Sequence, residues 1–321
     1  MEYNAGMTSP ADTVLCLTMN PSVDVSTHTG RVVPADKLRC GPARRDAGGG
    51  GLNVARVVQR LGGHSSALFP AGGPAGDWLV NHLQAAGLPV RRIPLSGDTR
   101  ENFTVQALDT GAEFRFVLPG PTLTESEWTA CLAAIEALPL LPAVVVASGS
   151  LPPGVPSDFY ARLALIVRSR GSRLVLDSSG PALAAGVAAG VYLVKPNLRE
   201  LRDLTQQPLD TPTQWRAAAQ ALVDEGRAEV VALTLGEQGA LLVTKDGAWS
   251  ADPLPITVAS SVGAGDSFVG AFVWALQHGE SMPDAFTWAV AAGSAALITP
   301  GTGLCLLEDV QRLRPQVRLQ R

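Results

Sequence analysis

Hydrophobic positions along this chain follow two periods, which predict two kinds of element. Continuous apolar runs such as Val14 to Met19, Ala143 to Ala147 and Val230 to Leu235 predict buried β-strands. Apolar residues at helical spacing, as in Leu52 to Leu61 and Met282 to Leu297, predict amphipathic helices. Because strands alternate with helices through most of the sequence, we expect an α/β fold with a mainly parallel central sheet covered on both faces.

A more polar pattern interrupts this order in the first part of the chain. Asn102 to Leu108 and Glu113 to Leu118 alternate apolar and polar residues around Asp109-Thr110-Gly111, which is typical of a β-hairpin. The polar segment that precedes the glycine-rich stretch near residue 48 suits further edge strands. We therefore expect a small lid sheet with strands drawn from about residues 23–47 and 99–118.

Length and composition limit the functions open to this fold. We predict one domain over residues 13–321 and a disordered tail over residues 1–12. A net charge of −4 without a basic run argues against nucleic acid as a partner. The longest apolar stretch, Ala137 to Ala147, is interrupted by prolines and too short to span a membrane. The scattered cysteines form no C-x-x-C pair, which argues against zinc and favours a reducing cytoplasm.

Small residues and one carboxylate stand directly before an apolar helix in the stretch from Ser260 to Gly270. Gly263-Ala264-Gly265 lets backbone N–H groups crowd together, and the helix adds unpaired first-turn N–H groups and the positive end of its dipole. Such a place binds anions, and phosphate in particular. Asp266 could then take a proton from a hydroxyl beside the phosphate, as phosphoryl transfer to an alcohol requires.

Other interpretations of this stretch stay open at this point. Aspartate is a favoured N-cap, so Asp266 could bind the N–H groups of its own helix, and Gly-Ala-Gly could be a simple turn. A carboxylate used as a cap is not free to act as a base. A dinucleotide-binding loop is disfavoured, because Gly270 follows Gly265 too late for the G-x-G-x-x-G spacing.

Polar groups also follow the first strand and open the first helix. Asp24 lies just beyond a strand end, where it could bind a ligand or form an Asx turn. Gly48 to Gly51 would let the backbone approach a ligand closely, and Asn53 can donate and accept hydrogen bonds with a sugar hydroxyl. A flexible loop followed by an ordinary first helical turn has the same composition.

Two further motifs suit a nucleotide and its metal. Lys195 ends a strand, and Asn197 and Glu200 share one face of the next helical turn, where they could hold hydrated Mg2+ or form a capping box. Thr234 to Gly239 joins two strands, and its glycines could contact nucleotide phosphates or make a hairpin turn. The order of these pieces, rather than any one of them, indicates a phosphoryl-transfer site.

Taken in this order, the motifs resemble those of the ribokinase-like (phosphofructokinase-B) carbohydrate kinases over nearly the whole chain. Gly263 to Asp266 resembles the family's C-terminal signature, Gly48 to Gly51 with Asn53 its N-terminal signature, and Asn197-x-x-Glu200 its magnesium-linked motif. The resemblance implies a three-layer sandwich with a small β-sheet lid. It is strongest to the ribokinase-like 6-phosphofructokinases, in the stretches 37–40, 48–56, 69–73 and 148–154.

The resemblance also implies roles for individual residues. Asp266 would take the proton from the acceptor hydroxyl, and Gly263, Ala264 and Gly265 would form the anion hole for the moving phosphoryl group. The residues expected to bind the sugar phosphate are Asp24, Lys37, Arg39, Gly49, Gly50, Asn53, Arg100, Arg115 and Ser150. Those expected to contact ATP are Lys195, Asn197, Thr234, Gly236 and Gly239. The expected metal contacts are Glu200 to Mg2+ through water, and Ser260, Val262 and Gly301 to K+.

We therefore expect a kinase that uses ATP and Mg2+ to convert fructose 6-phosphate to fructose 1,6-bisphosphate, in a homodimer joined through the lid strands. The sister 1-phosphofructokinases and tagatose-6-phosphate kinases usually have Lys where this chain has Gly50, which favours fructose 6-phosphate. Those sister activities remain alternatives, as does a non-catalytic sugar or nucleotide sensor. Gly303 stands where a basic residue is expected, which weakens the prediction of K+.

Overall fold

The computed structural model describes residues 13–299 and 303–321. The predicted tail over residues 1–12 and the predicted K+ contact Gly301 lie outside the described residues. The strands are β1 (Thr13–Leu17), β2 (Ser22–Thr29), β3 (Arg44–Gly48), β4 (His64–Ala71), β5 (Val90–Pro94), β6 (Arg100–Ala107), β7 (Glu113–Phe116), β8 (Val144–Ser148), β9 (Arg173–Asp177), β10 (Val191–Val194), β11 (Ala228–Thr234), β12 (Ala240–Thr244), β13 (Gly247–Ala251) and β14 (Leu319–Gln320). The helices are α1 (Gly50–Arg60), α2 (Gly73–Ala85), α3 (Glu125–Glu136), α4 (Phe159–Ser169), α5 (Gly180–Ala188), α6 (Leu198–Thr205), α7 (Pro212–Asp224), α8 (Ala264–Gln277), α9 (Met282–Leu297) and α10 (Leu307–Leu313).

The central sheet has the order β14-β13-β12-β11-β10-β9-β8-β1-β4-β5. The strands from β11 through β10, β9, β8, β1 and β4 to β5 pair in parallel with their neighbours. At the other edge, β12, β13 and β14 are added in antiparallel pairs. Successive residues of β1 face opposite sides of the sheet: Cys16 packs in one apolar cluster and Leu17 in the other. The predicted mainly parallel sheet with two covered faces is therefore confirmed.

Strand order reverses beside β1, which places a crevice at that point. β1 pairs with β4 on one side and with β8 on the other. From there the chain winds outward to β5 in one direction and to β11 in the other. Ligands of open α/β sheets bind outside the carboxyl ends of the strands at such a reversal. Three polar residues stand at those ends: Ser148 on β8, Asp177 on β9 and Thr234 on β11.

A small second sheet has the order β3-β2-β6-β7. β2 runs parallel to β6 from Ser22 opposite Arg100 to Thr29 opposite Ala107, and β7 returns along β6 as a hairpin. These strands use the two segments predicted for the lid. Two of its aromatic side chains are open to solvent: Phe116 on β7 is 54% exposed and Phe103 on β6 is 40% exposed.

Strand β13 and the start of α8 differ from the sequence-based expectation. Gly247–Ala251 was not predicted as a strand, because Gly and Ala have low strand propensity, and pairing with β12 decides its conformation. The small residues before α8 were expected to precede the helix, yet α8 begins at Ala264, so Ala264 and Gly265 belong to its first turn. Among the described residues, none of the helices has the length and apolar character needed to cross a bilayer.

Candidate active site

Asp266 is the third residue of α8 and does not cap its own helix. The N-cap is Gly263, which makes no side-chain cap hydrogen bond and has the left-handed φ of 76°. The Asp266 side chain instead reaches across to α1, where Nδ2 of Asn53 donates to its Oδ2 at 2.9 Å. The interpretation of Asp266 as an N-cap is therefore wrong, and the carboxylate faces a neighbouring element as a base requires.

Gly263 is required at the turn that precedes α8. Its positive φ disfavours any residue with a side chain, and a Cβ there would lie 2.8 Å from Cδ2 of Leu304. The first-turn N–H groups that follow have no intrahelical partner and carry the positive end of the helix dipole. Because Ala264 and Gly265 are small, these N–H groups stay open to an anion that approaches Asp266.

The surroundings of Asp266 raise the pKa of its carboxyl group towards neutral pH. Removal from water and, after it, the nearby Asp177 carboxylate raise the pKa of Asp266, and the net value is about 6. Hydrogen bonds from Asn53 and Ser148 and the charge of Lys195 act in the opposite direction and limit the rise. A carboxylate with a pKa near the working pH suits general base catalysis.

Lys195 and Asp177 form a buried ion pair beside Asp266. The Lys195 Nζ lies 3.1 Å from Asp177 Oδ1. Burial works against the charge of Lys195, but Asp177 and Glu200, helped by Asp266, outweigh it and raise the pKa of the ammonium. Sequence reasoning missed Asp177. Its place at the carboxyl end of a predicted strand was the available signal.

Asn197 and Glu200 form the capping box that was one of their two interpretations. The Glu200 N–H donates to Asn197 Oδ1 at 2.9 Å, and the Asn197 N–H donates to Glu200 Oε2 at 2.8 Å. Among the described residues, no group of three or more His, Cys, Asp and Glu side chains is placed to hold a metal ion. The magnesium role of Glu200 stays a prediction, and it requires an ion that keeps its water.

The glycine-rich loop packs tightly against two polar side chains. A Cβ at Gly48 would lie 2.3 Å from Asp24 Oδ2, and a Cβ at Gly50 would lie 2.1 Å from Ser148 Oγ. Asp24 Oδ1 accepts hydrogen bonds from Ser22 Oγ at 2.7 Å and Asn102 Nδ2 at 2.9 Å. Gly49 has a φ of 119°, which favours glycine. The loop therefore works by close approach rather than by flexibility, and Asn102 joins the site although sequence reasoning missed it.

The basic residues predicted to bind the sugar phosphate lie around the small sheet. Arg100 donates to the backbone oxygens of Leu118 and Asn20, each at 2.9 Å. Arg115 is exposed on β7, and Lys37 and Arg39 are exposed between β2 and β3. Ser150 accepts a hydrogen bond from the Asn20 amide at 3.2 Å. The contacts of these residues with a ligand stay predictions.

The turn between β11 and β12 is the predicted hairpin turn. Gly236 and Gly239 have φ values of 60° and 87°, and a Cβ at Gly239 would lie 2.0 Å from the backbone oxygen of Ala251. The Thr234 N–H donates to Pro196 O at 3.0 Å, which holds the turn beside the segment after Lys195. The turn therefore faces the same edge as the ion pair, where an ATP contact stays a prediction.

The segment predicted to hold K+ runs from β13 towards α8. Ser260 is buried, its N–H donates to Leu297 O at 3.2 Å, and its Oγ accepts from the Val262 N–H at 3.3 Å. These bonds fix the backbone that leads into Gly263. A K+ contact by Ser260 and Val262 stays a prediction.

Comparison with known proteins places this geometry in a family. Residues 17–309 match the model of the pfkB family carbohydrate kinases. The chain is 48% identical over 299 residues to ATP-dependent 6-phosphofructokinase isozyme 2 of Mycobacterium tuberculosis, covering 93% of this chain and 88% of the relative.

Solved structures show the same architecture. Phosphofructokinase-2 from Escherichia coli in complex with potassium is 40% identical, with a TM-score of 0.91 over 94% of this chain and 98% of that chain. The same enzyme in complex with fructose 6-phosphate is 39% identical, with a TM-score of 0.89 and the same coverage. The sequence match, the shared architecture and the carboxylate at the start of α8 agree, and the chain belongs to the pfkB family of carbohydrate kinases.

Proposed function

We propose that the protein transfers the γ-phosphoryl group of ATP to the C1 hydroxyl of fructose 6-phosphate. The observation that carries this proposal is the Asp266 carboxylate, which stands at the start of α8 and bonds to Asn53 rather than to its own helix. Relatives at this level of identity are named ATP-dependent 6-phosphofructokinases, and one of the matching structures holds fructose 6-phosphate. Gly50 stands where the sister kinases usually have Lys, which favours the same substrate.

The proposed mechanism uses the chain's own groups in three ways. Asp266 accepts the proton of the C1 hydroxyl as the oxygen attacks phosphorus. The first-turn N–H groups of α8 bind the negative charge on the transferring phosphoryl group, which is the larger contribution in most such reactions. Lys195, which is held by its ion pair with Asp177, would add a positive charge beside Asp266 and the transferring phosphoryl group.

The site fits ATP with Mg2+ through the chemistry of its groups. An ammonium, a row of helical N–H groups and a glycine turn suit phosphates, and Glu200 and Asp177 surround Lys195 with carboxylates. Glu200 would hold Mg2+ through water, because one of its oxygens caps α6. When bound, Mg2+ would neutralise charge on the phosphates.

A substrate comparison tests the proposal directly. The purified protein is assayed for ADP release with fructose 6-phosphate, fructose 1-phosphate and tagatose 6-phosphate, each with and without K+. We expect the highest kcat/KM with fructose 6-phosphate. A higher value with either other sugar phosphate would assign the sister activity, and binding without ADP release would favour a sensor.

We expect turnover to follow the protonation of Asp266. Its pKa of about 6 means that the carboxylate is charged above that value and protonated below it. A protonated Asp266 cannot accept a proton, so kcat/KM rises as pH increases through about 6 and then reaches a plateau. A pH series of kcat/KM, which reports the pKa of the free enzyme, checks this. A rate that stays constant between pH 5 and pH 8 would contradict the assignment of the base.

Assembly and location belong to the same proposal. We propose a homodimer joined through the small sheet, because Phe103, Phe116 and Val117 there are exposed apolar side chains that a partner would cover. Light scattering would then give twice the mass of the chain. One structure of the E. coli relative is a tetrameric inhibited form of that protein.

Cys16, Cys40, Cys131 and Cys305 are all free, which suits a reducing cytoplasm.

A further inference from the structure

The Asn53 side chain stands between a carboxylate and a guanidinium group. Its Nδ2 donates to Asp266 Oδ2 at 2.9 Å. Its Oδ1 accepts a hydrogen bond from Nη1 of Arg56 at 3.3 Å, and the same Nη1 donates to Ala47 O at 3.0 Å. Asn53 and Arg56 are three residues apart on α1, so they share one face of the helix. The chain of contacts therefore runs from Ala47 through Arg56 and Asn53 to Asp266.

The chemistry of these groups permits one orientation of the amide. An ionised carboxylate accepts hydrogen bonds, and a guanidinium group donates them. An asparagine amide has nearly the same shape when it is rotated by half a turn, so its shape does not fix which end faces Asp266. If the amide turned, its oxygen would meet the oxygen of Asp266 and its NH2 would meet the N–H of Arg56. Both contacts would be repulsive.

We propose that Arg56 is a positioning residue, which holds the oxygen of the Asn53 amide and so keeps the amide N–H on Oδ2 of Asp266. Arg56 does not contact Asp266 in this arrangement and acts through Asn53. The inference rests on the proposed role of Asp266 as the base. It adds a residue whose function is to set the protonation of that base.

The groups around the Arg56–Asn53–Asp266 chain of hydrogen bonds include both positive and negative charges. Burial lowers the pKa of Arg56, and Arg60 and Arg44 lower it further, while Asp46 and Asp24 raise it. Asp266 is faced by Asp177, Lys195, Asn53 and Ser148. Removal of Arg56 could therefore change Asp266 in two ways, by releasing the amide or by removing a positive charge. The experiment must separate these two routes.

The first measurement is the pKa of Asp266 in the unliganded protein, by NMR titration of 13C-labelled aspartate carboxyl groups. The signal that disappears in Asp266→Asn assigns the residue. In Arg56→Met the Asn53 oxygen loses the donor that holds it, the hydrogen bond of the amide to the charged carboxylate is weakened, and we expect the pKa of Asp266 to rise by roughly one. Arg56→Lys, which keeps a donor, restores a value closer to that of the parent protein. An unchanged pKa in Arg56→Met would overturn the inference.

Turnover should change with the same pH dependence. If the pKa rises by about one, kcat/KM of Arg56→Met falls roughly five- to tenfold at and below pH 6 and differs little above pH 8. A loss of fold or of substrate binding would lower activity at every pH. An equal loss at pH 6 and at pH 8.5 would therefore contradict a positioning role.

A double-mutant cycle separates the amide from the charge. We expect Arg56→Met to raise the pKa of Asp266 in the parent protein and to have almost no effect in an Asn53→Ala background, because the group through which Arg56 acts is gone. The same rise in both backgrounds would show that Arg56 acts by its charge, and would overturn the inference. If Arg56→Met does not fold by circular dichroism, Arg56→Leu, which also lacks a donor, takes its place in the cycle. Because the titration needs no substrate, failure of the proposed sugar phosphate in the assay leaves this test intact.

Discussion

Asp266→Asn is expected to lower kcat by about 10²–10⁴ while the affinity for ATP stays almost unchanged. Asparagine keeps the size of the side chain but cannot accept the proton of the sugar hydroxyl. The anion-binding N–H groups of α8 and the Lys195–Asp177 pair remain, so binding of the nucleotide phosphates is preserved. Steady-state kinetics with fructose 6-phosphate and calorimetric titration with ATP measure the two effects.

The chain offers a matched control for this substitution. Asp284 is also the third residue of its helix, α9, but its carboxylate accepts a hydrogen bond from its own N-cap residue, Ser281, through Oγ. Asp284→Asn removes the same charge from the same helical position, and we expect it to leave kcat unchanged. Near-normal turnover in Asp266→Asn, or an equal loss in Asp284→Asn, would contradict the role of Asp266 as the base.

The contrast between these two aspartates shows what the sequence could establish. Periodicity predicts the bounds of α9, and the apolar runs predict the strands of the parallel sheet, because burial of one face is a local pattern. Whether an aspartate near a helix start caps its own helix or faces a neighbouring element is not a local property. For Asp266 it depends on Asn53, which is 213 positions away in the chain, although its Nδ2 lies 2.9 Å from Asp266 Oδ2.

The same limit applies to the residues that sequence reasoning missed. Asp177 acts through Lys195 because β9 and β10 are neighbours in the sheet, and that order follows from the topology rather than from either segment. Asn102 reaches Asp24 because β2 pairs in parallel with β6, across a long connection. At Asn197 and Glu200 the pattern alone could not separate a cap from a metal contact, because both use the same two residues.

Lys195→Met is expected to reduce stability and activity together. The two side chains of the Lys195–Asp177 pair are only 7% and 15% exposed, so removal of the cation leaves a buried carboxylate without its partner. Loss of one member of such a pair lowers the free energy of unfolding by about 3–5 kcal/mol. The loss of a fixed positive charge beside the transferring phosphoryl group should lower kcat by about 10²–10³.

The double variant Lys195→Met/Asp177→Leu separates these two effects. Replacing both charges by apolar groups removes the unpaired carboxylate, so urea titration should show most of the stability restored. The positive charge at the site is still missing, so kcat should stay low. Lys245→Met, which removes an exposed lysine, should change neither quantity. Recovery of turnover in the double variant would mean that Lys195 serves the fold alone. If the double variant stays as unstable as Lys195→Met, the stabilising role of Lys195 is not its ion pair with Asp177.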